Sequence, residues 1–220
     1  MSDPIKTKQD LVDWIEQCVL GDLRTLRQGI VYYYTHEDHK APDGRALGGG
    51  NFLLAAGCCM ALDYFGFIFH GSGSDEANVR AFVTKFLAGI NPRYSEAMLL
   101  MWKCFRQGTV HRSWPQRIYV ENDYENHLIA GVGSAPGGMH LDAASTWARD
   151  SFIINAWQLL TDIEKAFDTG FRTWILEEAT DSILQRANPQ PLQIRQGDRQ
   201  AMEQLEKVRL WHREQDPEPA

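Results

Sequence analysis

The chain has 220 residues, enough for one large domain with a substantial core of its own. Its composition, 44% hydrophobic and 23% charged, is that of a globular protein and not of a disordered or fibrous one. A formal net charge of −7 argues against a protein that coats nucleic acid by bulk electrostatics, while leaving room for a local basic site.

The first helix is expected from about Thr7 to Gly29, with Thr7 as cap and Asp10 three residues on. Leu11, Trp14, Ile15, Cys18, Val19 and Leu23 recur at three- and four-residue steps. Val31-Tyr32-Tyr33-Tyr34 and the polar, glycine-rich stretch up to Gly50 read as a loop or short strand. Asn51 to about His70 is apolar nearly all round and should form a central helix. Its length alone would allow a membrane span. Asp63 in mid-segment and the absence of basic anchors favour a buried core helix. The N-terminal residues lack an apolar signal core. No membrane association and a cytoplasmic location are therefore expected.

Gly71-Ser72-Gly73-Ser74 should separate this helix from a third, about Asp75 to Ala88. Asn91-Pro92 marks a turn. The fourth helix is expected from Ser95 into Arg106, weakened at Gly108 and ended by Pro115. Residues 117–142 have strand composition at Arg117–Glu121, His127–Ala130 and Met139–Leu141, and predict a β-hairpin or three-stranded insertion. A long helix is expected at Ser145–Phe167 and another at Arg172–Gln185. A charged helix with a thin apolar stripe of Met202, Leu205, Val208 and Trp211 should follow at Arg199–Glu214. The expected architecture is mainly α, a helical bundle with a small β insertion: one domain over 1–215, and a disordered tail over 216–220.

From Ala97 to Val120 there is no Asp or Glu, yet the stretch holds Lys103, Arg106, His111, Arg112 and Arg117. In an acidic protein that bias is a candidate phosphate-facing surface. Within it lies Arg106-Gln107-Gly108-Thr109-Val110-His111. Cleaving RNA beside its own 2′-hydroxyl needs a group that moves protons near neutral pH, and His is suited to it. It also needs a fixed cation on the phosphate, for which the planar fork of Arg is suited. On an α-helix, residues five apart point about 140° away from each other. A kink at Gly108, the reach of Arg, or a second protomer is then required to bring the two together.

The Arg-x4-His motif at the end of an apolar helix resembles the HEPN superfamily of helical bundles. Gln107 stands where members often have Asn, Asp or His. The resemblance implies metal-independent RNA cleavage at a dimer interface. His111 would be the proton-transfer group and Arg106 the phosphate clamp. Lys103, Thr109, Arg112 and Arg117 would contribute substrate contacts, and no cofactor is required. Many HEPN-like domains lack catalysis, so a protein-binding or scaffold role stays open, with Arg106 capping the helix end and His111 held in a turn. The whole chain also resembles an uncharacterised family of bacterial proteins, through Asn51-Phe52-Leu53, the segment Phe105 to His111 and the strand region before a long helix. That likeness implies no activity.

Other candidates are weaker. His36-Glu37-Asp38-His39 could hold a metal but has no fixed third ligand, and a solvated loop is the better reading. Gly48-Gly49-Gly50 precedes a helix without the Lys of a P-loop, and Gly131–Gly138 lacks the setting of a dinucleotide fingerprint. Cys18, Cys58, Cys59 and Cys104 read as buried free thiols. His140 and Asp142 alternate on an expected strand and form one further compact acid–base pair.

Overall fold

The computed structural model describes residues 5–35, 50–110, 118–120, 123–133, 140–144 and 151–188, together with 199–200, 202–204 and 206–208. For 31–35, 107–110, 118–120, 123–130, 142–144 and 151 it describes the backbone alone. The fold is mainly α with a small sheet. Two compact units are present, Met1–Asn188 and Pro189–Ala220. In the second, the described residues between 199 and 208 are helical. The expected disordered tail, 216–220, lies outside the described residues.

The chain enters α1 (Lys8–Trp14) through a capping box: the Thr7 hydroxyl accepts from the Asp10 N–H, and the Asp10 carboxylate accepts from the Thr7 N–H. A π-helical turn, Ile15–Val19, links α1 to α2 (Leu20–Thr35). The helix therefore runs six residues beyond the expected end at Gly29, and Val31–Tyr34 are helical, not loop or strand. The aromatic, β-branched run suggested extended chain, but its helical context prevails over local preference.

α3 (Asn51–His70) starts and stops where its glycines permit: Gly50 at φ +75° and Gly71 at φ +68° are both left-handed. It is long and apolar enough to cross a membrane, yet half buried among α2, α4 (Asp75–Phe82), α6 (Ala156–Ala166), α7 (Ser182–Ala187) and the π-helical segment Trp102–Val110. The α3–α4 approach is close. A Cβ at Gly66 would stand 2.6 Å from the backbone carbonyl carbon of Asn78. Asn78 itself is buried and holds the intervening loop, accepting from the Ser72 N–H at 2.8 Å and donating to the Ser72 carbonyl at 3.0 Å. Below this contact Phe65, Phe82, Phe86, Phe167, Phe171 and Trp174 form a continuous aromatic cluster, with centroids 5.0–6.4 Å apart.

The third predicted helix appears as α4 continued by a π turn, Val83–Leu87. The fourth begins at Arg93 as α5 (Arg93–Met101) and passes into Trp102–Val110. From Trp102 onward, through the expected weak point at Gly108, the backbone loosens to i→i+5 hydrogen bonding.

The β region is larger than expected. β1 (Ile118–Val120), β2 (Asp123–Gly133), β3 (Asp142–Ala144) and β4 (Ser151–Asn155) form one four-stranded sheet in the order β1-β2-β4-β3. β1–β2 and β3–β4 are antiparallel and β2–β4 parallel, Ile129 facing Ser151 and Gly133 facing Asn155. The small β insertion expected near residues 117–142 is therefore present, and its sheet extends on to Asn155. The predicted helix start at Ser145 is too early: Ser151–Asn155 are strand and α6 begins at Ala156. Asn155 ends the strand and caps the helix, its side chain accepting from the N–H groups of Trp157 and Gln158. The helix expected over Arg172–Gln185 is broken after Glu178, where Ala179 turns extended before α7. Asn188 then ties this end back to the start of the chain, exchanging 2.8 Å hydrogen bonds with both backbone groups of Ile5.

Candidate functional site

Arg106 sits on the π-helical segment Trp102–Val110, against α3 and the entry to α4. Its Nε donates to Asp63 Oδ2 at 2.9 Å, and its terminal nitrogen approaches Asp75 Oδ2 at 3.4 Å. The guanidinium lies 4.8 Å from the centroid of Trp102, one helical turn back. Among the described residues, these three groups hold a side chain only 17% exposed. The two ion pairs differ in kind. Asp63 is 23% exposed and held at short range, whereas Asp75 is 68% exposed and at the limit of contact. The acid in mid-helix that argued against a membrane span is thus the internal partner of the Arg in the motif.

Lys103, on the same segment, is exposed. The backbone of Thr109 lies in the π-helical run, while His111, Arg112 and Arg117 lie outside the described residues. The i→i+5 pattern affects the expected geometry. It stacks residues five apart more nearly above one another than an α-helix does, and it runs to Val110, one position before His111. The backbone up to that point is therefore not the α-helix on which the 140° separation rests.

A second polar constellation is fully built. Tyr94 from α5, His140 ahead of β3 and Asp162 from α6 meet in the interior. The backbone N–H of Asn155 donates to His140 Nδ1 at 3.1 Å. Nδ1 is thus the acceptor, and the neutral ring carries its proton on Nε2. Nε2 then donates to the Tyr94 oxygen at 2.7 Å, and Tyr94 donates to Asp162 Oδ2 at 2.8 Å. Gln158 donates to the other carboxylate oxygen at 2.8 Å. Burial pushes His140 down to about 4, outweighing the opposing pull of Asp162, and burial together with the Asp162 charge pushes the Tyr94 hydroxyl well up. Next to His140, Leu141 has φ +50°, a left-handed conformation rare for a leucine, and its N–H bonds the Ile153 carbonyl at 2.8 Å. These groups satisfy one another inside the fold, so the chemistry they perform is fastening: they tie the sheet to α5 and α6.

The sequence pairs His140 with Asp142 on an expected strand. The structure gives His140 the partners Tyr94 and Asp162; the side chain of Asp142 lies outside the described residues. The overlooked signal was Asp162 itself. It follows Leu159 by three residues and precedes Ile163 and Ala166, which places a carboxylate on the buried face of α6. Such a group requires a buried donor.

Glu164 bridges α6 to α2, accepting from Arg24 at 2.6 Å and Arg27 at 2.8 Å. Cys58, Cys59 and Cys104 are buried, and desolvation raises Cys59 to about 12 and Cys104 to about 11. Cys18 is half-buried, unlike the other three. Among the described residues no group of three His, Cys, Asp or Glu side chains is placed to hold a metal; His36 and His39 lie outside them. Of the glycine-rich candidates, Gly50 serves as the entry to α3, and Gly131 and Gly133 lie in β2. No protein-family model, curated protein or solved structure matches this chain.

Proposed function

We propose that this chain is a HEPN-like, RNA-directed protein that works as a dimer, with Arg106 as phosphate clamp and His111 as proton-transfer group. The observation that carries the reading is the preorganised guanidinium. Asp63 holds Nε at 2.9 Å and Trp102 supports the plane. A cation that meets developing charge on a phosphodiester works best when it is already oriented. The i→i+5 backbone supports the pairing with position 111, and exposed Lys103 adds a second cation to the same segment. In this reading the reaction needs no metal: His111 takes a proton from the 2′-hydroxyl, whose oxygen attacks the adjacent phosphorus to give a 2′,3′-cyclic phosphate, the P–O5′ bond breaks and the departing 5′-oxygen takes up a proton from water, while Arg106 neutralises the phosphate oxygens. Thr109, Arg112 and Arg117 supply further contacts along the strand.

One observation favours a second reading, a non-catalytic protein-interaction or scaffold domain. Arg106 is met by two carboxylates, the arrangement of a structural pin between α3, α4 and the motif segment. The readings separate on paired variants. RNA cleavage in the presence of a chelator should disappear in His111→Ala while the melting temperature holds. A pin alone predicts no cleavage in any form, and a loss of stability confined to Arg106→Ala.

A further inference from the structure

We propose that Asp75 is a built-in competitor for the anion site of Arg106, a carboxylate that occupies the outer edge of the guanidinium until an RNA phosphate displaces it. This rests on the clamp role proposed for Arg106 and adds regulation to the same site. The two carboxylates on Arg106 have separate tasks. Asp63 lies on α3, is mostly buried and takes Nε at 2.9 Å. Asp75 reaches a terminal nitrogen at 3.4 Å from the solvent side, with two thirds of its side chain exposed. A contact of that length and exposure is weak and screened by salt. A phosphate offers the same terminal nitrogen a shorter, charge-assisted bond. Anion exchange at this edge therefore leaves the Asp63 bond and the Trp102 stack in place, and Arg106 stays oriented throughout.

The fold does not depend on the Asp75 carboxylate. Asp75 is the first residue of α4, but Ser74 caps that helix and Asn78 holds the preceding loop through Ser72. Removing its charge should free the clamp without unfolding the entry to α4.

The test compares the full chain with Asp75→Asn, Asp75→Ser and Asp75→Glu, using two probes: a short fluorescent single-stranded oligouridine, and inorganic phosphate read by thermal shift. Asp75→Asn and Asp75→Ser should bind the oligouridine on the order of threefold more tightly than the wild type. They should also gain more melting temperature from phosphate, with both differences shrinking as salt rises. Asp75→Glu, which restores the charge, should behave as wild type. Equal responses of the neutral variants and wild type to both probes would overturn the proposal, and would leave RNA binding intact if the oligouridine still binds. A larger phosphate response in the neutral variants without oligouridine binding by any form would uphold competition by Asp75 and remove the RNA reading. No response of any form to either probe overturns both.

Discussion

Arg106 has more structural work than a clamp strictly needs. Replacing it with Ala leaves Asp63, 23% exposed, without the bond to Nε and uncovers the face of Trp102. We expect a stability loss of about 1–3 kcal/mol, read from urea denaturation. Gly66 is a second residue with a definite geometric demand. A methyl group there meets the backbone of Asn78 at 2.6 Å, and backbone cannot swing aside as a side-chain tip can. Gly66→Ala should therefore cost about 1–3 kcal/mol by overpacking, although Ala is the better helix former. The thiols offer a check that needs no mutation. Native-state alkylation should modify Cys18 well before Cys58, Cys59 and Cys104, because burial suppresses the thiolate of those three.

Where elements meet, the Tyr94–His140–Asp162 network decides how the sheet is fastened to the bundle. The unfolded chain protonates His140 near 6.5, and the folded chain only near 4. Between those values the unfolded state binds more protons, so stability rises with pH. The contribution is present in full above 6.5, falls as pH drops through the window, and is lost below about 4. The pKa difference corresponds to about 3 kcal/mol. Denaturation midpoints across that range should show the slope, and His140→Gln should flatten it. Tyr94→Phe removes the hydroxyl between Nε2 and Oδ2, and should cost about 1–3 kcal/mol at neutral pH.

α3 was legible end to end because a continuous apolar run between glycines has one economical conformation. The capping box at Thr7 and Asp10 was legible because all its atoms lie within four residues. The start of α6 was not, since Phe152, Ile153 and Ile154 fit either a buried helix or a buried strand until β2 pairs with them. The junction was nonetheless marked, by β-branched residues followed by Asn155 in the cap position. The π-helical turns had no local signature at all.

For the whole molecule, the mainly helical class follows from apolar spacing that repeats over most of the chain. The parallel β2–β4 pairing does not, because it joins residues more than 20 positions apart. The candidate site divides the same way. Arg106 and its basic, acid-free setting stand in the sequence, whereas its partners Asp63 and Asp75 come from helices 43 and 31 residues away and emerge only on folding. The charge balance gives a further expectation. An acidic chain with one local basic segment should bind RNA with a shallow salt dependence, set by a few phosphate contacts and not by a coat.

Single-stranded RNA cleavage by the purified chain in a chelating buffer, measured beside His111→Ala with the melting temperature and oligomeric state of both recorded, tests the catalytic role of His111. Metal-independent cleavage by the wild type is expected, with a loss on the order of 10²–10⁴ in His111→Ala at unchanged stability and assembly. Cleavage that survives in His111→Ala, or that is absent from the wild type, contradicts that role.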